Sequence, residues 1–99
     1  MKKVILFCAN GFSTAMLCQK LTAACIKSGK GGEYEFEAYP FSEFQKKSPE
    51  ASIILLAPQI RFNLKKVTQQ YPDRPVILVD TMAYGLMDAD KIFKQVTEA

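Results

Sequence analysis

The chain reads as an α/β protein built on a parallel sheet with helices on both faces. Two observations predict this. Residues 4–7, 53–56 and 76–79 are strand-length apolar runs without polar alternation, the pattern of strands covered on both sides. Stretches with apolar residues at helical spacing follow the first two runs, and repeated strand–helix units with right-handed crossovers give parallel sheets. In such sheets the functional crevice lies beyond the carboxyl ends of the strands.

Val4, Ile5, Leu6 and Phe7 form the first strand, which runs into Cys8. Asn10-Gly11 supplies a turn that tolerates positive φ, and Ser13 or Thr14 can cap a helix over residues 13–28. Leu17, Leu21, Ala24 and Cys25 make that helix's buried face, and Gly29 suits a left-handed end. Residues 33–39 alternate strictly as Glu-Tyr-Glu-Phe-Glu-Ala-Tyr, a strand with one packed and one wet face. Three glutamates place it at a sheet edge, and Pro40 stops it. Phe41 and Phe44 predict a short helix or turn before Ser48-Pro49.

Residues 52–57 form a central strand, and Pro58 opens the next helix at its first turn. Ile60, Leu64, Val67 and Tyr71 mark the buried face of that helix, and Pro72 closes it. Residues 73–75 turn, residues 76–80 form the fourth strand, and residues 81–87 read as a loop. Asp88 caps a last helix whose inner residues include Ile92 and Val96. Cys8, Pro58-Gln59 and the stretch from Asp80 to Gly85 all follow strands, so they gather at one edge of the sheet.

Ninety-nine residues suffice for a single core, so residues 1–99 are expected to be one domain. A hydrophobic fraction of 48% with 23% charged residues is ordinary for a globular chain, and a net charge of +3 is too mild to argue for nucleic acid. No apolar run approaches a membrane span, and the run after Met1-Lys2-Lys3 is too short for a signal peptide, which predicts a cytoplasmic protein. Three cysteines, an odd number, argue against a disulfide framework. No histidine and no Cys-x-x-Cys pair occurs, so a zinc site is not expected, and no Cys–His or Ser–His pair exists; no metal and no cofactor enter the expected chemistry.

Cys8 is the candidate for chemistry. It ends a strand and faces the amino end of a helix, where unpaired N–H groups and the positive end of the helix dipole favour a thiolate and any anion bound to it. A phosphate on its sulfur would lie in a cradle of backbone amides from Ala9, Asn10, Gly11, Phe12, Ser13, Thr14 and Ala15. Cys18 and Cys25, within the helix, read as core packing. Three rival chemistries fail on specific residues. A Cys-x5-Arg phosphatase of the low-molecular-weight kind needs an arginine where Thr14 stands. A flavodoxin-type phosphate loop is rich in Ser and Thr where Ala9-Asn10-Gly11 stands, and a receiver domain needs an acidic pair after its first strand.

Three stretches carry a resemblance over the whole chain: Leu-Phe-Cys-Ala-Asn-Gly-Phe-Ser-Thr at 6–14, Leu-Leu-Ala-Pro-Gln-Ile at 55–60, and Val-Asp-Thr-Met-Ala-Tyr-Gly at 79–85. In this order they resemble the IIB component of the phosphoenolpyruvate-dependent sugar phosphotransferase system, lactose/cellobiose type. The resemblance implies a four-stranded parallel sheet in the order 2-1-3-4. It also implies that Cys8 takes a phosphoryl group from a histidine of the IIA protein and delivers it to a sugar held by the membrane-embedded IIC, which chooses the sugar. Gln59 and Tyr84 lie in the second and third stretches and are secondary candidates to touch the phosphate loop or a partner. Exposed apolar side chains around Cys8, Phe12 chief among them, would dock IIA and IIC. The competing class is a noncatalytic or regulatory domain on the same fold, with Cys8 as redox sensor or packing.

Overall fold

A computed structural model describes residues 1–9 and 14–99. Four strands, β1 (Lys2–Cys8), β2 (Tyr34–Pro40), β3 (Ile53–Leu56) and β4 (Val76–Leu78), form one all-parallel sheet in the order β2-β1-β3-β4. The helices are α1 (Thr14–Lys27), α2 (Phe44–Lys47), α3 (Leu64–Gln70), α4 (Thr81–Gly85) and α5 (Ala89–Thr97).

Side-chain alternation along the two central strands divides the core. Val4 and Leu6 of β1 with Ile53 and Leu55 of β3 pack against Leu17, Leu21, Ala83, Ile92 and Phe93, the face covered by α1, α4 and α5. Ile5 and Phe7 with Ile54 and Leu56 pack against Phe44, Ile60 and Val67, the face covered by α2 and α3. Continuous apolar runs are needed because neither face meets water. β2 lies at the edge, as its glutamates predict, and β1 runs beside it in register from Lys2 opposite Tyr34 to Cys8 opposite Pro40. Its outer residues are not simply wet, since Glu37 accepts a 2.7 Å hydrogen bond from the Tyr39 hydroxyl and lies 3.4 Å from the Lys3 ammonium. At the end of α1, Gly29 adopts φ +78°. Its amide donates to the Ile26 carbonyl and that of Lys30 to Cys25, both at 3.0 Å, the paired bonds that close a helix through a left-handed residue.

The structure corrects three readings. The stretch 81–87, expected as a loop, contains helix α4. Asp80 caps it by accepting from the Ala83 amide at 2.9 Å, and burial of Ala83 supplies an inward face too short to show as periodicity. The fourth strand stops at Leu78 rather than residue 80. There the side-chain amide of Gln95 on α5 accepts from the Asp80 amide (3.0 Å) and donates to the Leu78 carbonyl (3.2 Å). One side chain thus takes the place of a neighbouring strand and covers this open edge. Finally, the segment that Pro58 opens is 3-10 in character over Pro58–Asn63, with α-helix only from Leu64. Ile60 leaves helical geometry (φ −116°, ψ 28°), which turns its side chain into the core, where it is buried.

Candidate phosphoryl-transfer site

The carboxyl ends of β1, β3 and β4 lie side by side, because parallel strands in the order 2-1-3-4 send their following segments from one edge. Cys8 is the last residue of β1, and alternation puts its side chain on the α1 side with Val4 and Leu6. It is 1% exposed, and its sulfur donates to the Tyr39 carbonyl of β2 at 3.8 Å. The end of β1 is held from the other side as well, since the Phe7 carbonyl accepts from the Ala57 amide at 2.9 Å. Beyond Cys8, Ala9 is an exposed bend, and α1 begins at Thr14 with no acidic residue in its first turn. The positive end of that helix therefore carries no carboxylate of its own to offset it there. Asn10, Gly11, Phe12 and Ser13 lie outside the described residues, and with them the expected loop. Ala15, next in line, is exposed.

The other two cysteines are placed differently. Cys25 is buried, and its sulfur lies 3.1 Å from the Lys30 carbonyl. Cys18 is 8% exposed and lines a groove of about 360 Å³ between α1 and β2, with Glu37 and Tyr39 opposite. Burial pushes its thiol up to about 12, with smaller contributions in the same direction from the charges of Cys8 and Glu37. Glu37 itself is held below the usual carboxylate range, first by the Tyr39 hydroxyl and then by Lys3.

Of the secondary candidates, Gln59 is exposed on the 3-10 segment after β3. Tyr84 is half-buried on α4 and packs against the apolar cluster around Ala83. Both follow strand ends as expected, while the loop they would touch lies outside the described residues. Asp80 is a helix cap whose carboxylate is held low by the Ala83 amide and by Lys91 at 3.6 Å. Sequence reasoning found Asp80 as an acid but not as a cap, although an acid directly before a stretch free of proline is a start signal. Nothing local announced Gln95, because its partners lie in another element. Among the described residues no three His, Cys, Asp or Glu side chains cluster as a metal site, and no helix is long and apolar enough to cross a membrane.

Sheet order and helix placement define a three-layer α/β domain with a cysteine closing one of its two central strands, and comparison with known proteins fixes the family. Residues 3–95 match the family "PTS system, Lactose/Cellobiose specific IIB subunit", and the chain belongs to it. The oligo-beta-mannoside-specific EIIB component of Bacillus subtilis (strain 168) is 33% identical over 98 residues, covering 96% of this chain and 92% of that protein. The galactose-specific EIIB component of Lactococcus lactis subsp. cremoris (strain MG1363) is 30% identical, covering 92% of this chain and 89% of that protein. Among solved structures, the lactose-specific IIB domain from Streptococcus pneumoniae superposes with a TM-score of 0.81 at 17% identity, covering 98% of this chain and 95% of that one, a likeness of fold. The cellobiose-specific IIB component from Borrelia burgdorferi gives a TM-score of 0.71 at 27% identity, covering 94% and 85%. The chain is thus a sugar-system phosphotransferase component.

Proposed function

We propose that Cys8 is the residue that carries the phosphoryl group. Its thiolate sulfur attacks the phosphorus of a phosphohistidine on the IIA protein. The P–N bond breaks as the S–P bond forms, and the imidazole leaves with the electron pair and takes up a proton. The sugar hydroxyl held by the membrane protein IIC then attacks the same phosphorus as its proton passes to a base on IIC or to water, breaking the S–P bond and releasing the thiolate. The observation that carries this reading is the placement of Cys8 as the last residue of β1, a central strand, on the sheet face that α1 covers and six residues ahead of Thr14, where α1 begins. An S-phosphate there gains from the helix N-terminus, and the remaining residues of 9–15 would complete its cradle. The exchange takes place on the cytoplasmic side of the membrane. Relatives named for oligo-β-mannosides, galactose and cellobiose share this chain's family, in keeping with a sugar choice made by IIC.

The test is intact-mass and peptide analysis after incubation with phosphoenolpyruvate, the general phosphotransfer proteins and a IIA protein. One phosphoryl group on Cys8 is expected, with sugar phosphorylation abolished in Cys8→Ser and nearly unchanged in Cys18→Ser. Full activity of Cys8→Ser would refute the assignment and leave Cys8 as packing or a redox sensor.

A further inference from the structure

We propose that Met16, Phe62 and Met82 form one apolar docking rim, flanked by Arg61, for the protein that brings the phosphoryl group to Cys8. The proposal rests on the phosphotransfer reading above and adds to it the surface that recognises the donor.

The argument starts from exposure. Met16, Phe62 and Met82 are 57%, 79% and 70% exposed, although each could have been polar at no cost to the core. Their positions are not scattered. Met16 is in the first turn of α1, which follows β1, and Met82 is in the first turn of α4, which follows β4. Phe62 is on the 3-10 segment after β3, before α3 turns the chain back. Since β1, β3 and β4 are neighbours in the sheet, the three side chains emerge at one edge. Met16 and Met82 are on helices that cover the sheet face to which the Cys8 side chain also belongs, and Phe62 is on the segment leading to α3 on the other face, so the three follow the strand ends beside Cys8.

The occupant follows from two constraints. The Cys8 sulfur is almost completely covered, so a donor must engage this edge closely rather than exchange at a distance. A second copy of the chain would close the edge and would bring a second net charge of +3 against the first. A phosphorylated donor instead brings negative charge to a rim that carries the exposed Arg61, whose guanidinium also donates to the Pro58 carbonyl at 3.3 Å. The nearby acid Asp80 is engaged by the Ala83 amide and Lys91. Composition agrees as well: a rigid aromatic anchors, while flexible methionines adapt to a partner held only briefly.

The experiment measures the initial rate of phosphoryl transfer from a IIA protein that phosphorylates the wild-type chain, against chain concentration. Phe62→Ser should lower kcat/KM by about tenfold or more and Met82→Ser by about threefold or more, chiefly through KM. Arg61→Gln should weaken the salt dependence of the rate. Ile26→Ser, at an exposed apolar position near the far end of α1, serves as control and should stay within twofold. Melting temperatures should match throughout, because all these side chains are exposed. Failure of every IIA protein to phosphorylate wild-type Cys8 would overturn the underlying reading and this rim with it. Normal wild-type transfer with Phe62→Ser and Met82→Ser both within twofold would overturn the rim alone. So would sedimentation showing a wild-type dimer that Phe62→Ser dissociates, which would assign the rim to self-association.

Discussion

Cys18 offers a sharp test of why one thiol among three would carry the chemistry. Its side chain lies in the wall between α1 and β2, and burial, followed by the charges of Cys8 and Glu37, pushes its thiol up to about 12 from an ordinary 9.0. At pH 8 a thiol at its ordinary value is roughly one-tenth thiolate, whereas one at 12 is roughly one ten-thousandth, about a 10³-fold loss of the reactive form. A more basic thiolate is intrinsically a better nucleophile. A Brønsted slope of about 0.4–0.5 over three pK units returns a factor of roughly 20. The net suppression is therefore about 50-fold before any steric protection. Iodoacetamide labelling at pH 8, in native buffer and in urea, measures it directly. Trypsin leaves Cys8 and Cys18 in one peptide, residues 4–20, so fragment ions must assign the label. Native labelling of Cys18 within about fivefold of its rate in urea would refute the reasoning.

The same shift predicts a dependence of stability on pH. The thiol is a neutral acid whose value is raised in the folded chain. Above its ordinary 9.0 the unfolded state releases the proton, while the folded state keeps it until about 12. Stability therefore falls with rising pH across that window. In urea titrations the difference between wild type and Cys18→Ala should shrink or reverse over the same interval.

Three further outcomes follow from the edge of the sheet. Gln95→Ala removes both hydrogen bonds to the backbone at the end of β4 and just beyond it, and should cost about 1–3 kcal/mol by urea unfolding. Asp80→Ala should expose the Ala83 amide, whose exchange in NMR should accelerate while that of the central strands does not. Because the Asp80 carboxyl is held low in the folded chain, the cap's contribution is present above the unfolded value near 4. It is lost as pH falls through the folded value, and the same amide reports it. Finally, p-nitrophenyl phosphate should be hydrolysed negligibly; steady turnover that disappears in Cys8→Ser would restore the phosphatase reading.

What the sequence made legible divides by range. Val4 to Phe7 and the run at 53–56 announce a doubly covered sheet because every residue is apolar, and the glutamates of β2 announce an edge. Gly29 and Asp88 announce helix ends because a single residue's backbone or side chain does the work. Residues 81–85 did not announce α4, since five residues cannot display a helical period and the cap alone starts it. The early end of β4 was hidden because it is set by Gln95, fifteen residues after Asp80. At the candidate site, the position of Cys8 at the end of a buried strand was legible from the apolar run before it, while its contact with the Tyr39 carbonyl depends on the pairing of β1 with β2.

Transfer and hydrolysis differ in what must be supplied beyond the sulfur. In the proposed transfer between two proteins and a sugar, each partner brings its own acid or base, and this chain would need only to hold the phosphoryl group and exclude water. Hydrolysis of an S-phosphate must be completed by the chain itself, with a clamp on the equatorial oxygens and a proton source or base in line. The position of an arginine clamp is Thr14, and a missing donor of this kind commonly costs about 10² or more in rate. The carboxylates described toward this end are no better suited. Asp80 is held ionised by the Ala83 amide and Lys91, and Glu37 by the Tyr39 hydroxyl and Lys3. A carboxylate whose value is lowered carries no proton at neutral pH and is also a weaker base toward an attacking water. Both carboxylates already serve a structural partner, one capping α4 and one tying β2 to β1. Among the described residues, the contacts that finish the fold thus engage both carboxylates, in keeping with the proposed role of Cys8 as a carrier that is not hydrolysed.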